Sequence, residues 1–129
     1  MTESHLRYVS GSVQNNVLVA TITVHHLRDA AATFAVRDEL LALIDASHVR
    51  HVVLDARHVQ FIGSIGLLTF LSVRRRIVDG RVVLCNLSEP IQKLFAICRL
   101  ITTDPAKVAP FEIATTLENA LARFENSTV

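Results

Sequence analysis

An α/β or α+β domain with a mixed sheet is the fold this chain predicts, on three observations. The 129 residues are half apolar, enough for one real core without disulfide or metal staples, and too few for two ordinary domains. After an initial hairpin pattern, short β-branched runs alternate with segments of helical period. Cap and breaker residues fall at the joints between these segments. There is no internal repeat, linker or low-complexity tract.

The elements follow in order. Arg7 to Val13 and Val17 to Thr23 are strand-like runs around Gln14-Asn15-Asn16, and asparagine tolerates the backbone that a hairpin turn needs. Val24 to Arg28 reads as a loop. Asp29 can cap a helix from Ala30 to Ile44 with Phe34, Leu40, Leu41 and Ile44 on its apolar side. His51 to Asp55, centred on Val52, Val53 and Leu54, has the compact character of a central strand. A helix is expected from Ser64 to about Asp79, stopped by Gly80. Arg81 to Cys85 is the next strand. Ser88 can cap a third helix that carries Ile91, Leu94, Phe95 and Ile97 and tolerates Pro90 in its first turn. Ile101 to Thr103 reads as a short edge strand, and Asp104 to Ile113, with two prolines, as a loop. Thr115 and Glu118 have capping-box spacing and open a last helix reaching Phe124.

Charge and composition exclude several functions. Thirteen basic and twelve acidic residues leave a net charge of +1, so nothing global draws the chain to nucleic acid or anionic lipid. Cys85 and Cys98, the only cysteines, lie in apolar segments and read as reduced core residues. The N-terminal sequence lacks the pattern of a signal peptide, and no apolar stretch has the length of a membrane span. A cytoplasmic protein without membrane insertion is the expectation.

The most informative segment is His51 to Arg76: a buried strand, a short loop, then Gly63-Ser64 at the start of a helix. Ser64 stands where free backbone N–H groups and the positive end of a helix dipole converge. That position suits a hydroxyl cap and equally suits a phosphate. Gly63-Ser64-Ile65-Gly66 is neither a nucleotide-binding loop nor the Gly-x-Ser-x-Gly elbow of a hydrolase. His51, His58 and Asp55 do not define a triad by their order alone. His25-His26 and His48 with His51 read as surface or loop histidines, so no metal site is expected. Arg74-Arg75-Arg76 fan around a helix end, where cations favour the dipole. Phe61, Leu67, Leu68, Leu71 and Phe95 read as core, and any of them exposed beside Ser64 would belong to a docking surface.

The run VVLDARHVQFIGSIGLLTFL followed by RVVLCNLSEPIQKLFAICRL resembles the STAS domain, the family of sulfate-transporter and anti-sigma-factor-antagonist domains. The family pattern is a strand, a loop, Phe-x-Asp-Ser-Ser/Thr-Gly-Leu opening a helix, then a strand and a helix. Phe61-Ile62-Gly63-Ser64-Ile65-Gly66-Leu67 matches that motif, and Ser88, Leu94, Phe95 and Leu100 stand in familiar later places. Gly63 replaces the motif's acid, Ile65 its second hydroxyl, and His25-His26-Leu27-Arg28 the usual Gly-x-Leu-Asp before the first helix. The resemblance covers nearly the whole chain. It implies an α/β fold in one domain over residues 1–129, with its core at about 7–125, an N-terminal β-hairpin and helices packed mainly on one face of a mixed sheet.

The same resemblance implies a bacterial anti-sigma factor antagonist, a non-enzymatic interaction module of transcription regulation with no cofactor. Its partner would be an anti-sigma factor that is a serine kinase of the histidine-kinase-like ATPase type. Ser64 would be the phosphorylated residue, and Ile62, Gly63, Ser64, Ile65, Gly66 and Leu67 the partner-binding set. A STAS scaffold without the switch, such as an accessory subunit of an ABC transporter, is the alternative that Gly63 and Ile65 favour. An enzyme or small-ligand binder using Ser64 is the remote one. Oligomeric state and the pathway regulated are not legible.

Overall fold

The computed structural model describes residues 3–101 and 108–125. Its main sheet has six strands in the order β1 (Glu3–His5), β2 (Val9–Gln14), β3 (Val17–Ile22), β5 (His51–Asp55), β7 (Val82–Cys85), β8 (Glu112–Ala114). The pairs β1/β2 and β2/β3 are antiparallel, and β3/β5, β5/β7 and β7/β8 are parallel. The sheet is therefore mixed, as the sequence implies. Asn15 and Asn16 both take positive φ, 51° and 70°, as a two-residue hairpin turn between Gln14 and Val17 requires.

Among the described residues four helices connect or flank the strands: α1 (Ala30–Ser47), α2 (Ser64–Arg76), α3 (Glu89–Ile97) and α4 (Leu117–Glu125). Asp29 caps α1 as expected, its carboxylate accepting from the Ala32 N–H at 3.0 Å. Ser88 is the N-cap of α3 by position, but its hydroxyl makes no capping bond. The cap of α4 is one residue later than expected. Thr116 Oγ1 accepts from the Asn119 N–H at 3.1 Å, while the Thr115 carbonyl is taken by the Asn86 N–H.

Other boundaries differ for tertiary reasons. The expected loop Val24–Arg28 contains a short strand, β4 (His26–Leu27), paired in parallel with β6 (Phe61–Ile62). The expected loop Asp104–Ile113, of which 104–107 lie outside the described residues, overlaps strand β8, whose pairing with Val83–Cys85 places it at the sheet edge. Of the expected edge strand Ile101–Thr103, Ile101 makes a single parallel bridge to Phe111, and 102–103 lie outside the described residues. Helix α2 stops at Arg76 rather than Asp79, because Ile77 is extended and 95% buried in the core. Gly80 does not cap α2. A Cβ there would stand 1.6 Å from the Arg50 carbonyl oxygen, so glycine is required by close backbone approach.

Each face of the sheet has its own core. On one face Leu18, Ala20, Val52, Leu54, Val82 and Leu84 pack with Val36, Leu40, Phe70, Val73, Ile91 and Phe95 of α1, α2 and α3. Phe70, Phe95 and Phe111 meet edge to face at the centre of that core. On the other face Val17, Val19, Val53, Val83 and Cys85 pack with Ala120 and Phe124 of α4. Three helices thus share one face, as expected. The central strands read as continuous apolar runs because both faces are covered. Five residues expected inward lie outward: Phe34, Phe61, Leu68, Ile97 and Cys98 are exposed. Burial pushes the Cys85 thiol up to about 12, with the Asp55 charge adding to it, so it stays protonated.

Asp55 ends β5 fully buried. Its carboxylate accepts from Arg57 Nε at 2.9 Å, the Arg57 backbone N–H at 3.1 Å and Asn86 Nδ2 at 3.0 Å. Burial pushes the carboxyl up, but the Arg57 and Asn86 hydrogen bonds and the Arg57 charge outweigh it, and its pKa lies below the ordinary 3.8. Glu112 is likewise held below 4.5, chiefly by Arg81, which binds it through two nitrogens at 2.6 Å. Both folded-state values are depressed, so unfolded chains take these protons first. Stability is expected to be constant above pH 4.5 as far as these two groups are concerned, and to fall as pH drops through 4.5 and then 3.8. Asp55→Asn should cost about 1–3 kcal/mol at neutral pH and flatten the acid limb. Urea melts across that pH range check this, and an acid limb unchanged in the variant would contradict it.

Candidate docking and modification site

The site is built by the small parallel ladder. His26 pairs with Phe61 and Leu27 with Ile62, and the period of two sends His26 and Phe61 outward and Leu27 and Ile62 inward. Backbone bonds hold the two loops together. The His25 carbonyl accepts from the Gln60 and Phe61 N–H groups at 2.7 and 3.2 Å, and the Leu27 carbonyl accepts from the Gly63 N–H at 2.9 Å. Gly63 is the N-cap residue of α2, and its carbonyl receives the first helical bond from the Leu67 N–H at 3.1 Å. Further along, Thr69 Oγ1 lies 3.5 Å from the Thr33 carbonyl, which brings the first halves of α1 and α2 side by side.

Ser64 is therefore the first helical residue and not the cap, because extended Gly63, at φ −89° and ψ −176°, occupies that position. Its side chain is exposed and, among the described residues, makes no hydrogen bond. The backbone N–H groups of the first turn lie beside it, as a phosphate site at a helix start requires. Of the residues expected to face a partner, Gly63, Ile65 and Leu67 are half-buried, while Ile62 and Gly66 are buried. The Ile62 side chain belongs to the core. Gly66 lies against the chain's own Leu27, so its small size serves internal packing and not a partner's approach.

Exposed apolar groups surround Ser64 instead. Phe61 and Leu68 are 41% and 56% exposed, in contrast to Phe95, which is fully buried. Leu68 stands one helical turn from Ser64 on the same face. Phe34, at 40% exposure, follows Thr33 at the contact between α1 and α2. Arg28 and Arg37 lie over the Phe61 and Phe34 rings, each 4.8 Å from the centroid. Arg28 and Phe34 were not legible as site residues. The available signal was the apolar–polar alternation of His26-Leu27-Arg28, which matches a strand better than a loop.

The residues of a conceivable triad are not assembled. Asp55 is bound to Arg57 and Asn86, and His51, at the opposite end of β5, accepts the Arg81 N–H on Nδ1 at 3.0 Å. His25, His26 and His58 do cluster, with ring centroids 6.4–6.5 Å apart, and His25 Nδ1–H donates to the His58 carbonyl. Among the described residues no three His, Cys, Asp or Glu side chains are arranged to hold a metal ion. Arg74 and Arg76 are engaged at the end of α2, with the Ile77 carbonyl and with Asp45. Among the described residues no helix is long and apolar enough to cross a membrane.

Fold and site together define a small α/β domain that presents a serine at a helix start amid exposed apolar side chains. The STAS domain model matches residues 12–120, and the chain belongs to the STAS domain family. Solved structures that share its fold include the following three. The anti-sigma factor antagonist SpoIIAA in its unphosphorylated form is 22% identical over 91% of this chain and 97% of that one, with a TM-score of 0.65. The Bacillus cell fate determinant SpoIIAA in its phosphorylated form is 21% identical over 90% and 98%, with a TM-score of 0.64. A STAS domain anti-sigma-factor antagonist of Planctomyces limnophilus is 21% identical over 89% and 95%, with a TM-score of 0.72. No curated protein matches the chain.

Two substitutions test the local geometry. A Cβ on Gly63 would meet only ordinary contacts, the nearest at 3.5 Å, and its backbone suits any residue. Gly63→Asp should therefore stabilise the fold by about 0.3–1 kcal/mol, as a better cap at the positive end of α2. Ser64→Ala should change stability by less than about 0.5 kcal/mol, as expected for a surface position without a capping bond. Urea midpoints measure both, and a loss of more than about 1 kcal/mol in Ser64→Ala would restore serine as the cap.

Gly66→Ala should be destabilising. Its Cβ would lie 2.7 Å from Ile62 Cγ2 and 3.0 Å from Leu27 Cβ, both close to the backbone and unable to swing away. Overpacking of about 1–3 kcal/mol should exceed the helix-propensity gain of about 1 kcal/mol. A raised urea midpoint would contradict the close contact.

Proposed function

We propose that this chain is an anti-sigma factor antagonist-like interaction module, without catalytic activity of its own. It docks through Phe61, Ser64, Ile65, Leu67, Leu68 and Phe34 on an anti-sigma factor of the kinase type in the bacterial cytoplasm, releasing the sigma factor. Phosphorylation of Ser64 ends the docking. The observation that carries this reading is the exposed Ser64 hydroxyl in the first turn of α2, without a hydrogen bond among the described residues and beside exposed Phe61 and Leu68. The helix start stabilises an anion there, so the fold tolerates phosphate. The interface does not: a dianion pressed against Ile65 and Leu68 is desolvated without compensation. A structural neighbour known in phosphorylated and unphosphorylated forms supports the reading.

The second reading keeps the docking surface and drops the switch, making the chain a STAS scaffold or an accessory subunit, as in an ABC transporter. Gly63 and Ile65, in place of the motif's acid and second hydroxyl, favour it. Incubation with ATP and the kinase-type anti-sigma factor encoded nearby, followed by mass spectrometry, separates the two. Phosphate is expected on Ser64 alone, and Ser64→Asp should weaken binding by tenfold or more, about 1.4 kcal/mol. Phosphate elsewhere, or none with an active kinase that binds the chain, would leave the scaffold reading standing.

A further inference from the structure

We propose that the surface around Ser64 selects a partner protein whose matching surface is acidic, with Arg28 as the main selecting charge. This rests on the docking reading above and names the chemistry of the partner. The histidine group and the apolar ring are one continuous surface. His25 touches both His26 and His58, His26 is paired with Phe61, and Arg28 lies over the Phe61 ring. His25, His26, Arg28, His58 and Phe61 are all exposed.

Among the described residues no carboxylate neutralises this surface. Residues 15–28 and 56–78 contain no Asp or Glu. The acids of the adjoining elements are engaged elsewhere. Asp29 caps α1, Asp38 pairs with Arg37, and Asp45 pairs with Arg76. Glu39 accepts from the Tyr8 and Val9 N–H groups, and Asp55 is held by Arg57. Among the described residues Arg28 has the Phe61 ring as its neighbour and no carboxylate partner.

A guanidinium laid on an aromatic face is fixed in orientation while its N–H edge stays free for an acceptor. A carboxylate on the partner can take two of those N–H groups at once. The imidazoles add further N–H donors beside it. A single unpaired arginine among phenylalanine and leucine side chains is a poor match for a nucleic-acid backbone, which needs several phosphate contacts along a basic stripe. It suits a protein surface with an apolar centre and an acidic rim, and it repels one that presents arginine or lysine there.

The test uses the full chain and each kinase-type anti-sigma factor of the same genome, titrated by calorimetry. The partner that binds should lose about tenfold or more in affinity to Arg28→Glu and an intermediate amount to Arg28→Gln, with affinity falling as salt rises. Lys93→Glu, on exposed α3, should stay within about twofold. Arg28→Glu is compared at matched melting temperature, and replacing the partner's contacting acid with arginine should restore its binding. If no kinase-type protein binds the wild-type chain, the docking reading fails and this inference with it. Binding that survives Arg28→Glu within about twofold overturns the acidic-partner inference alone. Parallel titrations use a DNA duplex and phosphatidylglycerol vesicles. Tight binding to either, lost in Arg28→Glu, would assign the surface to a polyanion and overturn the proposal.

Discussion

The pairing of Leu27 with Ile62 is the contact on which the proposed docking surface depends. Two residues from loops far apart in sequence form a parallel ladder only two pairs long. Their side chains enter the core, and Gly66 closes against both. The Leu27 carbonyl then receives the Gly63 N–H, which fixes where α2 begins. Everything outward follows from that inward pair. His26 and Phe61 must face solvent because their neighbours do not, and Ser64 must open the helix because Gly63 is tied as its cap. The serine is thus held at the surface by backbone bonds and apolar burial, with no side-chain hydrogen bond among the described residues.

In the proposed switch, a change of charge at Ser64 acts on binding with little effect on folding. The first turn of a helix accepts an anion through N–H groups that are otherwise unpaired. Phe61 and Leu68 beside it are exposed and belong to neither core. The two cores are elsewhere, between the sheet and α1 to α3 on one side and between the sheet and α4 on the other. Asp55, Arg57 and Asn86 lock the ends of β5 and β7 together, so the loop that leads to Ser64 starts from a fixed point.

The sequence carried the fold where local signals and burial agree. Val52 to Leu54 are apolar on both faces and form the central strand with the expected bounds. Asn15-Asn16 announced the hairpin, and Asp29 the first cap. It failed where pairing across the chain decides. His26-Leu27, with an alternation only three residues long through Arg28, and Glu112–Ala114 are short segments that only their partner strands make strands. Ser64 and Thr115 were displaced by one residue from their expected cap roles, because glycine and a second threonine compete for the same position. Ile97 and Phe34 are apolar and in helical register yet exposed, since helical period gives a face and not its depth. Of the site, the motif from Phe61 to Leu67 was legible, and the stacked Arg28 was not.

Amide hydrogen exchange of the chain alone and with the proposed partner, a kinase-type anti-sigma factor, tests the proposed docking surface most directly. Protection is expected in residues 25–28, in the first half of α1 around Phe34, and from Phe61 to Leu68, with α4 and β8 unchanged. Protection confined to α4 and β8, with the segment around Ser64 exchanging as freely as before, would contradict it.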